Sequence, residues 1–189
     1  MLQKIFYHCI LYLIRAKEKM TLFAEKKIAP LRLKILCKAL GCEIDLGKNV
    51  RIASGCKWHL GKNAAIKIGN NVTIQSNCSI AIFTNSTLKI DDGSYIGHGT
   101  DLMTRENINI GQKTLIAQNC KIIDCNHKWS KENGVERKTY LMSPVEIGNR
   151  VWLGANVIVT SGSVIDDNCL VGAGTVIRGH VSEGSKVIS

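Results

Sequence analysis

Short apolar steps recur about every six residues from Leu46 to Ile177. Each step has an aliphatic residue, often a glycine directly after it, and a small residue four places after the aliphatic one. A period of six fits neither a helix face, at about 3.6 residues, nor a simple alternating strand, at two. It predicts three short strands around each coil of a triangular solenoid, with the glycine helping the backbone turn. Such coils must stack, because a single coil cannot bury its own apolar face.

The aliphatic residues also align in three columns when the chain is wound into coils. The columns contain Leu46, Ile68, Ile90, Ile110, Ile147 and Ile165; Ile52, Ile74, Ile96, Ile116, Leu153 and Val171; and Trp58 or Leu60, Ile80 or Ile82, Leu102, Ile122, Val159 and Ile177. This arrangement predicts an all-β solenoid, a parallel β-helix of about six coils. The step of 37 residues from Ile110 to Ile147 interrupts the pattern, because three hexapeptides account for only 18.

Residues 1–41 lack the six-residue pattern and form a predicted helical N-terminal segment, whereas residues 42–189 form the β-helix. Helical spacing of apolar residues precedes Pro30, and a second helix is expected from there to Gly41. The first apolar stretch ends at Arg15, which makes it too short to span a bilayer. We expect the segment to cap the solenoid, to contact another subunit or to lie on a membrane surface. No cleavable signal peptide is expected.

The chain of 189 residues is 45% apolar and has two prolines, which argues for one main domain and against disorder. Its net charge is +10, and residues 1–41 hold nine Lys or Arg against Glu18 and Glu25. No nucleic-acid-binding module accompanies this charge, so no nucleic-acid partner is expected. A solvated helix face, an anionic membrane surface and an acidic polymer substrate all remain open.

The eight cysteines do not indicate a metal site or a disulfide framework. Cys56, Cys78, Cys120 and Cys169 occupy the small inward position of the repeat, where they act as small hydrophobes. No Cys-x-x-Cys pair is present, so no structural zinc is expected. Free buried thiols indicate a reducing, cytoplasmic location.

The interruption between Ile122 and Val145 is predicted to be a functional loop, residues 124–144. Function in solenoids concentrates where an inserted loop leaves the repeat. His127 follows the third column directly, so the coil beneath anchors its backbone. Neutral imidazole is a suitable general base at neutral pH. Asp124 or Glu132 could orient this imidazole, and the sequence does not choose between them.

The run from Ile110-Gly111 through His127 to Ile147-Gly148-Asn149-Arg150-Val151-Trp152-Leu153-Gly154 resembles the hexapeptide-repeat acyltransferases. Within them it is most similar to the galactoside, maltose and polysaccharide O-acetyltransferases, and the VGAGTVI run at 171–177 matches their late coil. The resemblance implies a left-handed parallel β-helix that assembles as a homotrimer. It also implies that acetyl-CoA lies between adjacent prisms and that a histidine on an extended loop is the base.

Residue by residue, the resemblance makes His127 the catalytic base, with Asp124 as a candidate partner. It implies a cofactor site formed by Trp152, Ala155, Ala173, Arg178 and Lys186, with a backbone N–H near Gly154 and Ala155 for the oxyanion. The loop offers Asn126, Trp129 and Tyr140 for the sugar. The usual Gly-x-Pro-Ala-Lys/Arg closing segment is replaced by Glu183-Gly184-Ser185-Lys186, which departs from the family pattern.

These features predict an acetyl-CoA-dependent O-acetyltransferase that needs no metal and acts on a sugar hydroxyl of a surface polysaccharide or its precursor. The protein is expected in the cytoplasm, with peripheral contact to the inner face of the membrane through the N-terminal helix. N-acetylation of an amino sugar, free or nucleotide-linked, is the main alternative. A scaffold without catalysis is a second alternative. A zinc enzyme of the γ-carbonic-anhydrase type is disfavoured, because it needs three histidines from neighbouring coils.

Overall fold

A computed structural model describes residues 2–188, and the side chains of residues 12–188. The chain begins with helix α1 (Leu2–Phe23), a π-helical stretch (Ala24–Ile28) and helix α2 (Ala29–Leu40). The π-helical turn comes directly before Pro30, whose ring and missing N–H are incompatible with a regular α-helical bond at that point. Gly41 ends α2 in the left-handed region at φ 67°. No helix within residues 2–188 is long and apolar enough to cross a membrane.

Short strands make up the rest of the chain. They are β1 (Glu43–Leu46), β2 (Arg51–Ile52), β3 (Lys57–Leu60), β4 (Ala65–Ile68), β5 (Thr73–Ile74), β6 (Ser79–Ile82), β7 (Thr87–Ile90), β8 (Tyr95–Ile96), β9 (Asp101–Thr104), β10 (Asn107–Ile110), β11 (Leu115–Ile116), β12 (Lys121–Ile123), β13 (Cys125–Ser130), β14 (Gly134–Met142), β15 (Val145–Ile147), β16 (Trp152–Leu153), β17 (Ile158–Val159), β18 (Val164–Ile165), β19 (Leu170–Val171), β20 (Val176–Ile177), β21 (His180–Val181) and β22 (Lys186–Val187).

All of these strands except β13 and β14 form three parallel sheets along the sides of a prism. The first sheet is β1-β4-β7-β10-β15-β18-β21, the second is β2-β5-β8-β11-β16-β19-β22, and the third is β3-β6-β9-β12-β17-β20. Three corners connect the sheets: the first corner from first to second sheet, the second corner from second to third, and the third corner from third back to first. The chain therefore completes six coils and begins a seventh, which confirms the predicted solenoid.

Strand pairing confirms the three predicted columns. Ile110 pairs with Ile147 across the long step, and Ile116 pairs with Leu153. In the third column Trp58 pairs with Ile80 and Ile80 pairs with Leu102, so Trp58 and Ile80 continue the column rather than Leu60 and Ile82. The isoleucines and leucines of the middle coils are almost completely buried, and burial of each contributes about 1.5–3 kcal/mol relative to exposure.

The glycine after the aliphatic residue has a different role from the one predicted. It does not turn the backbone, because the left-handed corner residues lie two places later, as at Asn71 after Gly69 and at Asn156 after Gly154. Instead it permits close approach of the next coil. A Cβ on Gly111 would lie 2.6 Å from the carbonyl carbon of Gly148, and one on Gly154 would lie 2.6 Å from the amide nitrogen of Ala173.

The helical segment packs on the first coil through α2. Leu33 and Cys37 are buried in the same core cluster as the solenoid isoleucines. The carboxylate of Glu25, which is itself buried, pairs with Nε of Arg51 at 2.6 Å. These contacts cover the open edge of the solenoid at its N-terminal end, which would otherwise be an unpaired sheet edge.

Candidate functional site

The segment that interrupts the six-residue apolar pattern is an ordered β-hairpin, which projects from the third corner. Strands β13 and β14 pair in antiparallel fashion from Cys125↔Met142 to Ser130↔Gly134, with a bulge between His127 and Lys128. Gly134 begins β14 at φ 65°, a conformation that favours glycine and closes the turn at the hairpin tip. A side chain on the hairpin therefore has a fixed position relative to the coils beneath it.

The His127 ring lies beside the Tyr140 ring near the base of the hairpin. The two residues are register partners, their ring centroids are 4.5 Å apart, and the rings are tilted by 37°. His127 is exposed, and within residues 12–188 its ring nitrogens make no hydrogen bond. The imidazole is thus held against one aromatic face while its nitrogens remain accessible to an incoming hydroxyl group.

Asp124 anchors the hairpin to the coil beneath it. Its side chain is fully buried, Oδ1 accepts a hydrogen bond from the Arg105 amide at 2.7 Å, and Oδ2 accepts one from the Glu106 amide at 2.8 Å. Its carbonyl oxygen accepts from the Ser143 amide at 3.0 Å, where the hairpin returns. Burial raises the pKa of Asp124, and the two backbone amides oppose that shift. The carboxylate binds backbone, so any effect of Asp124 on His127 would be exerted through the hairpin. The alternative, Glu132, lies in the turn at the hairpin tip.

A cation–aromatic stack at the third corner was not predicted from the sequence. The Arg105 guanidinium lies 3.6 Å from the centroid of Tyr140 and 3.7 Å from the centroid of Phe83. Phe83, Arg105 and the hairpin leave the third corner in three successive coils, so the fold stacks them directly. Only the coil register reveals this proximity, since Phe83 and Tyr140 lie 22 and 35 residues from Arg105 in the chain.

The proposed sugar residues are distributed over the hairpin. Tyr140 is half-buried between Arg105 and His127, whereas Trp129 is 68% exposed and pairs in register with Val135, farther from the base. Asn126 is exposed and pairs in register with Leu141. The structure therefore brings Tyr140 to His127 and leaves Trp129 on a more distant part of the hairpin.

The predicted cofactor residues lie mostly away from the third corner, where His127 is. Ala155 and Ala173 occupy the second corner in successive coils, and Trp152 and Lys186 lie on the second sheet. Arg178 lies at the third corner, two coils beyond the hairpin. One protomer thus keeps His127 apart from Ala155 and Ala173.

The second corner also differs from the first in its free backbone donors. At the first corner the Asn149 amide donates to Oδ1 of Asp167 at 2.7 Å. The equivalent amide at the second corner belongs to Ala155, and in the part of the chain described it has no hydrogen-bond acceptor. This N–H is available to a carbonyl or oxyanion of a ligand. Among residues 12–188, whose side chains are described, no cluster of three or more His, Cys, Asp or Glu could hold a metal ion.

Comparison with known proteins identifies relatives among sugar acetyltransferases. Residues 144–179 match the family model "Bacterial transferase hexapeptide (six repeats)". The putative lipopolysaccharide biosynthesis O-acetyl transferase WbbJ of Escherichia coli (strain K12) is 38% identical over 90 residues, which are 43% of this chain and 46% of WbbJ. Galactoside O-acetyltransferase of the same organism is 30% identical over 83 residues, 44% of this chain and 40% of that protein. The chain thus spans less than half the length of these relatives.

A solved structure shares the fold over most of the chain. A point mutant of AntD, an N-acyltransferase from Bacillus cereus in complex with dTDP and coenzyme A, superposes with a TM-score of 0.68. The superposition covers 82% of this chain and 84% of AntD at 22% sequence identity. At this identity the likeness concerns the fold.

Proposed function

We propose that this chain is a hexapeptide-repeat acyltransferase, and more specifically an acetyl-CoA-dependent O-acetyltransferase that acts on a sugar hydroxyl. The observation that carries this proposal is the exposed His127 ring on an ordered hairpin, held against Tyr140. A surface polysaccharide or its precursor is the proposed acceptor. The relationship to a protein named for lipopolysaccharide biosynthesis supports this class of acceptor.

In the proposed reaction, a ring nitrogen of His127 removes the proton from the acceptor hydroxyl as its oxygen attacks the thioester carbonyl of acetyl-CoA. The C–O bond forms, and the Ala155 N–H stabilises the negative charge on the carbonyl oxygen. The C–S bond then breaks, and the imidazolium returns its proton to the CoA thiolate. The products are the acetylated sugar and free CoA. The proposed cofactor site comprises Trp152, Ala155, Ala173, Arg178 and Lys186.

We propose that the active unit is a homotrimer. His127 lies at the third corner of the prism, whereas Ala155 and Ala173 lie at the second. Acetyl-CoA bound at Ala155 must therefore be reached from the hairpin of a neighbouring copy. The outer face of the second sheet supports such contact, because Tyr95, Leu115 and Trp152 are stacked there and are 37%, 44% and 52% exposed. Mixing His127→Ala with Ala155→Trp protomers should restore activity that each lacks alone, whereas a catalytically complete protomer would show no rescue.

Acetyl-CoA consumption against a panel of free sugars, nucleotide sugars, amino sugars and capsular oligosaccharides tests the reaction. His127→Ala should retain CoA binding but lower turnover by about 10²–10⁴-fold. His59→Ala removes an exposed histidine of the third sheet and serves as the matched control. Near-normal transfer by His127→Ala would refute the role of His127. Turnover of only amino sugars would favour N-acetylation, and no turnover or CoA binding by the wild type would favour a scaffold.

We also propose that the protein is cytoplasmic and touches the anionic inner face of the membrane through its helical segment. Residues 1–41 contribute +7 to the net charge, and Leu13, Met20 and Phe23 of α1 are exposed. A basic helix with exposed apolar side chains binds anionic lipid surfaces. Sedimentation with vesicles containing phosphatidylglycerol, but not with pure phosphatidylcholine vesicles, is the expected result. Equal sedimentation with both, or with neither, would contradict the membrane contact.

A further inference from the structure

Arg105 is held in an unusual environment for a positive charge. Its guanidinium lies between the faces of Phe83 and Tyr140, at 3.7 and 3.6 Å from the two ring centroids. Two aromatic faces exclude water from both sides of the planar group, so only its edge remains available for hydrogen bonds. Cation–π contacts with the two rings offset part of this loss of hydration.

The charge of Arg105 has no acidic partner in the part of the chain whose side chains are described. Arg51 pairs with Glu25 and Arg150 lies near Asp167, but Arg105 takes part in no ion pair. The nearby Asp124 carboxylate is committed to the Arg105 and Glu106 backbone amides. The Arg105 Nε is buried and donates no hydrogen bond. A buried N–H without an acceptor destabilises the folded state, and an apolar side chain between the same rings would avoid this loss.

The position of Arg105 connects it to the proposed acceptor. Its guanidinium and the His127 ring contact the same Tyr140 ring, so the two groups are separated by no more than those two contacts. An acceptor that extends along Tyr140 can therefore contact both Arg105 and the proposed base. The fork of N–H donors in a guanidinium matches the two oxygens of a carboxylate or phosphate.

We propose that Arg105 binds an oxyanion group on the acceptor, so that the protein selects sugars bearing a carboxylate or a phosphate. This proposal rests on the proposed function, because it assigns the acceptor class at the same site. Neutral sugars should then be poor ligands, because they would leave the stacked guanidinium without an oxyanion partner.

Binding measurements test this selection without requiring turnover. Isothermal titration or ligand-detected NMR would compare galactose with galacturonate and galactose 1-phosphate, and glucose with glucuronate and glucose 1-phosphate. We expect the wild type to bind at least one anionic sugar about 10–100-fold more tightly than its neutral counterpart. The uronate and phosphate arms distinguish the two oxyanion sources.

Arg105→Met keeps a long side chain between the rings and should abolish the preference for the anionic sugar. Arg137→Met removes the same charge from an exposed position on the hairpin and should preserve it. If Arg105→Met does not fold, Arg105→Lys replaces it, because lysine keeps the charge but loses the fork.

The proposal is overturned if the wild type binds neutral and anionic sugars equally or binds none of them. It is also overturned if Arg137→Met loses the preference as fully as Arg105→Met, or if Arg105→Lys retains it in full. Loss of acetyl transfer with the anion preference intact would refute the proposed reaction and leave the recognition role of Arg105 supported. The two failures are therefore distinguishable.

Discussion

The first and third corners of the prism differ in how completely their polar side chains are paired. At the first corner, side chains of one coil satisfy the backbone of the coil before it: the Asn70 amide donates to Asp92 and the Asn149 amide donates to Asp167. At the third corner, Asp124 also accepts from two amides of the coil before it, but beside it the Arg105 and His127 side chains have no acidic partner among the described residues. A corner whose donors and acceptors pair internally stabilises the stack of coils. A corner that leaves side-chain donors unpaired next to an ordered hairpin is suited to a ligand.

The carboxyl groups at the two corners also differ in electrostatics. Hydrogen bonds from the Asn149 side chain and amide lower the pKa of Asp167, which is at the surface. Asp124 accepts comparable hydrogen bonds, but burial outweighs them and raises its pKa. The same residue type thus has opposite pKa shifts, because the hairpin covers the third corner and water reaches the first.

The largest effect on stability is expected from Asp124→Ala. The substitution leaves the Arg105 and Glu106 amides without an acceptor and weakens the anchor of the hairpin. Because two buried amides lose their acceptor, the free energy of unfolding should fall by about 2–4 kcal/mol. Acetyl transfer should fall as well, because the hairpin that carries His127 is less firmly held. Urea denaturation monitored by circular dichroism measures the first effect, and acetyl-CoA consumption measures the second.

Asp101→Ala is the control for that variant. Asp101 pairs with Lys121 on the exposed face of the third sheet, and such surface pairs contribute about 0–1 kcal/mol. Equal destabilisation by Asp101→Ala and Asp124→Ala would show that Asp124 is an ordinary surface carboxylate and would remove the distinction between the two corners.

The next largest effect tests the close packing of the regular coils. Gly111→Ala places a Cβ 2.6 Å from backbone atoms of the next coil and should destabilise the fold by about 1–3 kcal/mol. Gly172→Ala is matched in the repeat but would meet the Ile188 side chain at 3.2 Å, which can move. Thermal unfolding of both variants should show a clear loss for Gly111→Ala only. Equal unfolding temperatures for the two variants would mean that adjacent coils can move apart to accept a Cβ at Gly111.

The sequence predicted the regular coils well because each aliphatic residue repeats one local environment. Ile110 and Ile147 could be aligned from periodicity alone, and the structure pairs them. The third corner was less predictable, because its contacts are made by residues from three different coils with no repeat among them. Arg105 stood within an ordinary corner sequence, and nothing near it in the chain indicated Phe83 or Tyr140.

The same difference explains the predictions for individual site residues. His127 could be selected because it stands where the pattern stops. The sequence could not assign Asp124, because its hydrogen bonds go to backbone amides of the preceding coil. The columns of the repeat, by contrast, place His127 after the third sheet and Ala155 after the second, and the structure has the sheets in that order. Their roles in catalysis and CoA binding remain predictions.

The two corners should respond to pH with opposite signs. A lowered pKa at Asp167 stabilises the folded state above the ordinary carboxyl pKa, and this stability is lost as the pH falls. The free-energy difference between wild type and Asp167→Asn should therefore grow as the pH rises from about 3 to 6. A raised pKa at Asp124 means that the folded state binds the proton more tightly, so stability is lost as the pH rises.

The difference in the free energy of unfolding between wild type and Asp124→Asn should accordingly shrink as the pH rises from the ordinary carboxyl pKa to the raised pKa of Asp124. Urea unfolding at a series of pH values measures both differences. If both free-energy differences change with pH in the same direction, hydrogen bonds to the Asp124 carboxylate outweigh its burial. The proposed electrostatic contrast between the two corners would then be wrong.

The smallest effect is expected at Tyr140, whose ring joins His127 to Arg105. Tyr140→Phe keeps the ring and should change kcat/KM for the acceptor by less than about twofold, since the hydroxyl makes neither stacking contact. Tyr140→Leu removes both contacts. Because an aromatic contact contributes about 0.5–1.5 kcal/mol, kcat/KM should fall about 2–10-fold for each of the two contacts that supports the acceptor step. Measurements at saturating acetyl-CoA isolate the acceptor step. If Tyr140→Phe is as impaired as Tyr140→Leu, the hydroxyl rather than the ring supports the site, and the third corner is a hydrogen-bonded site like the first.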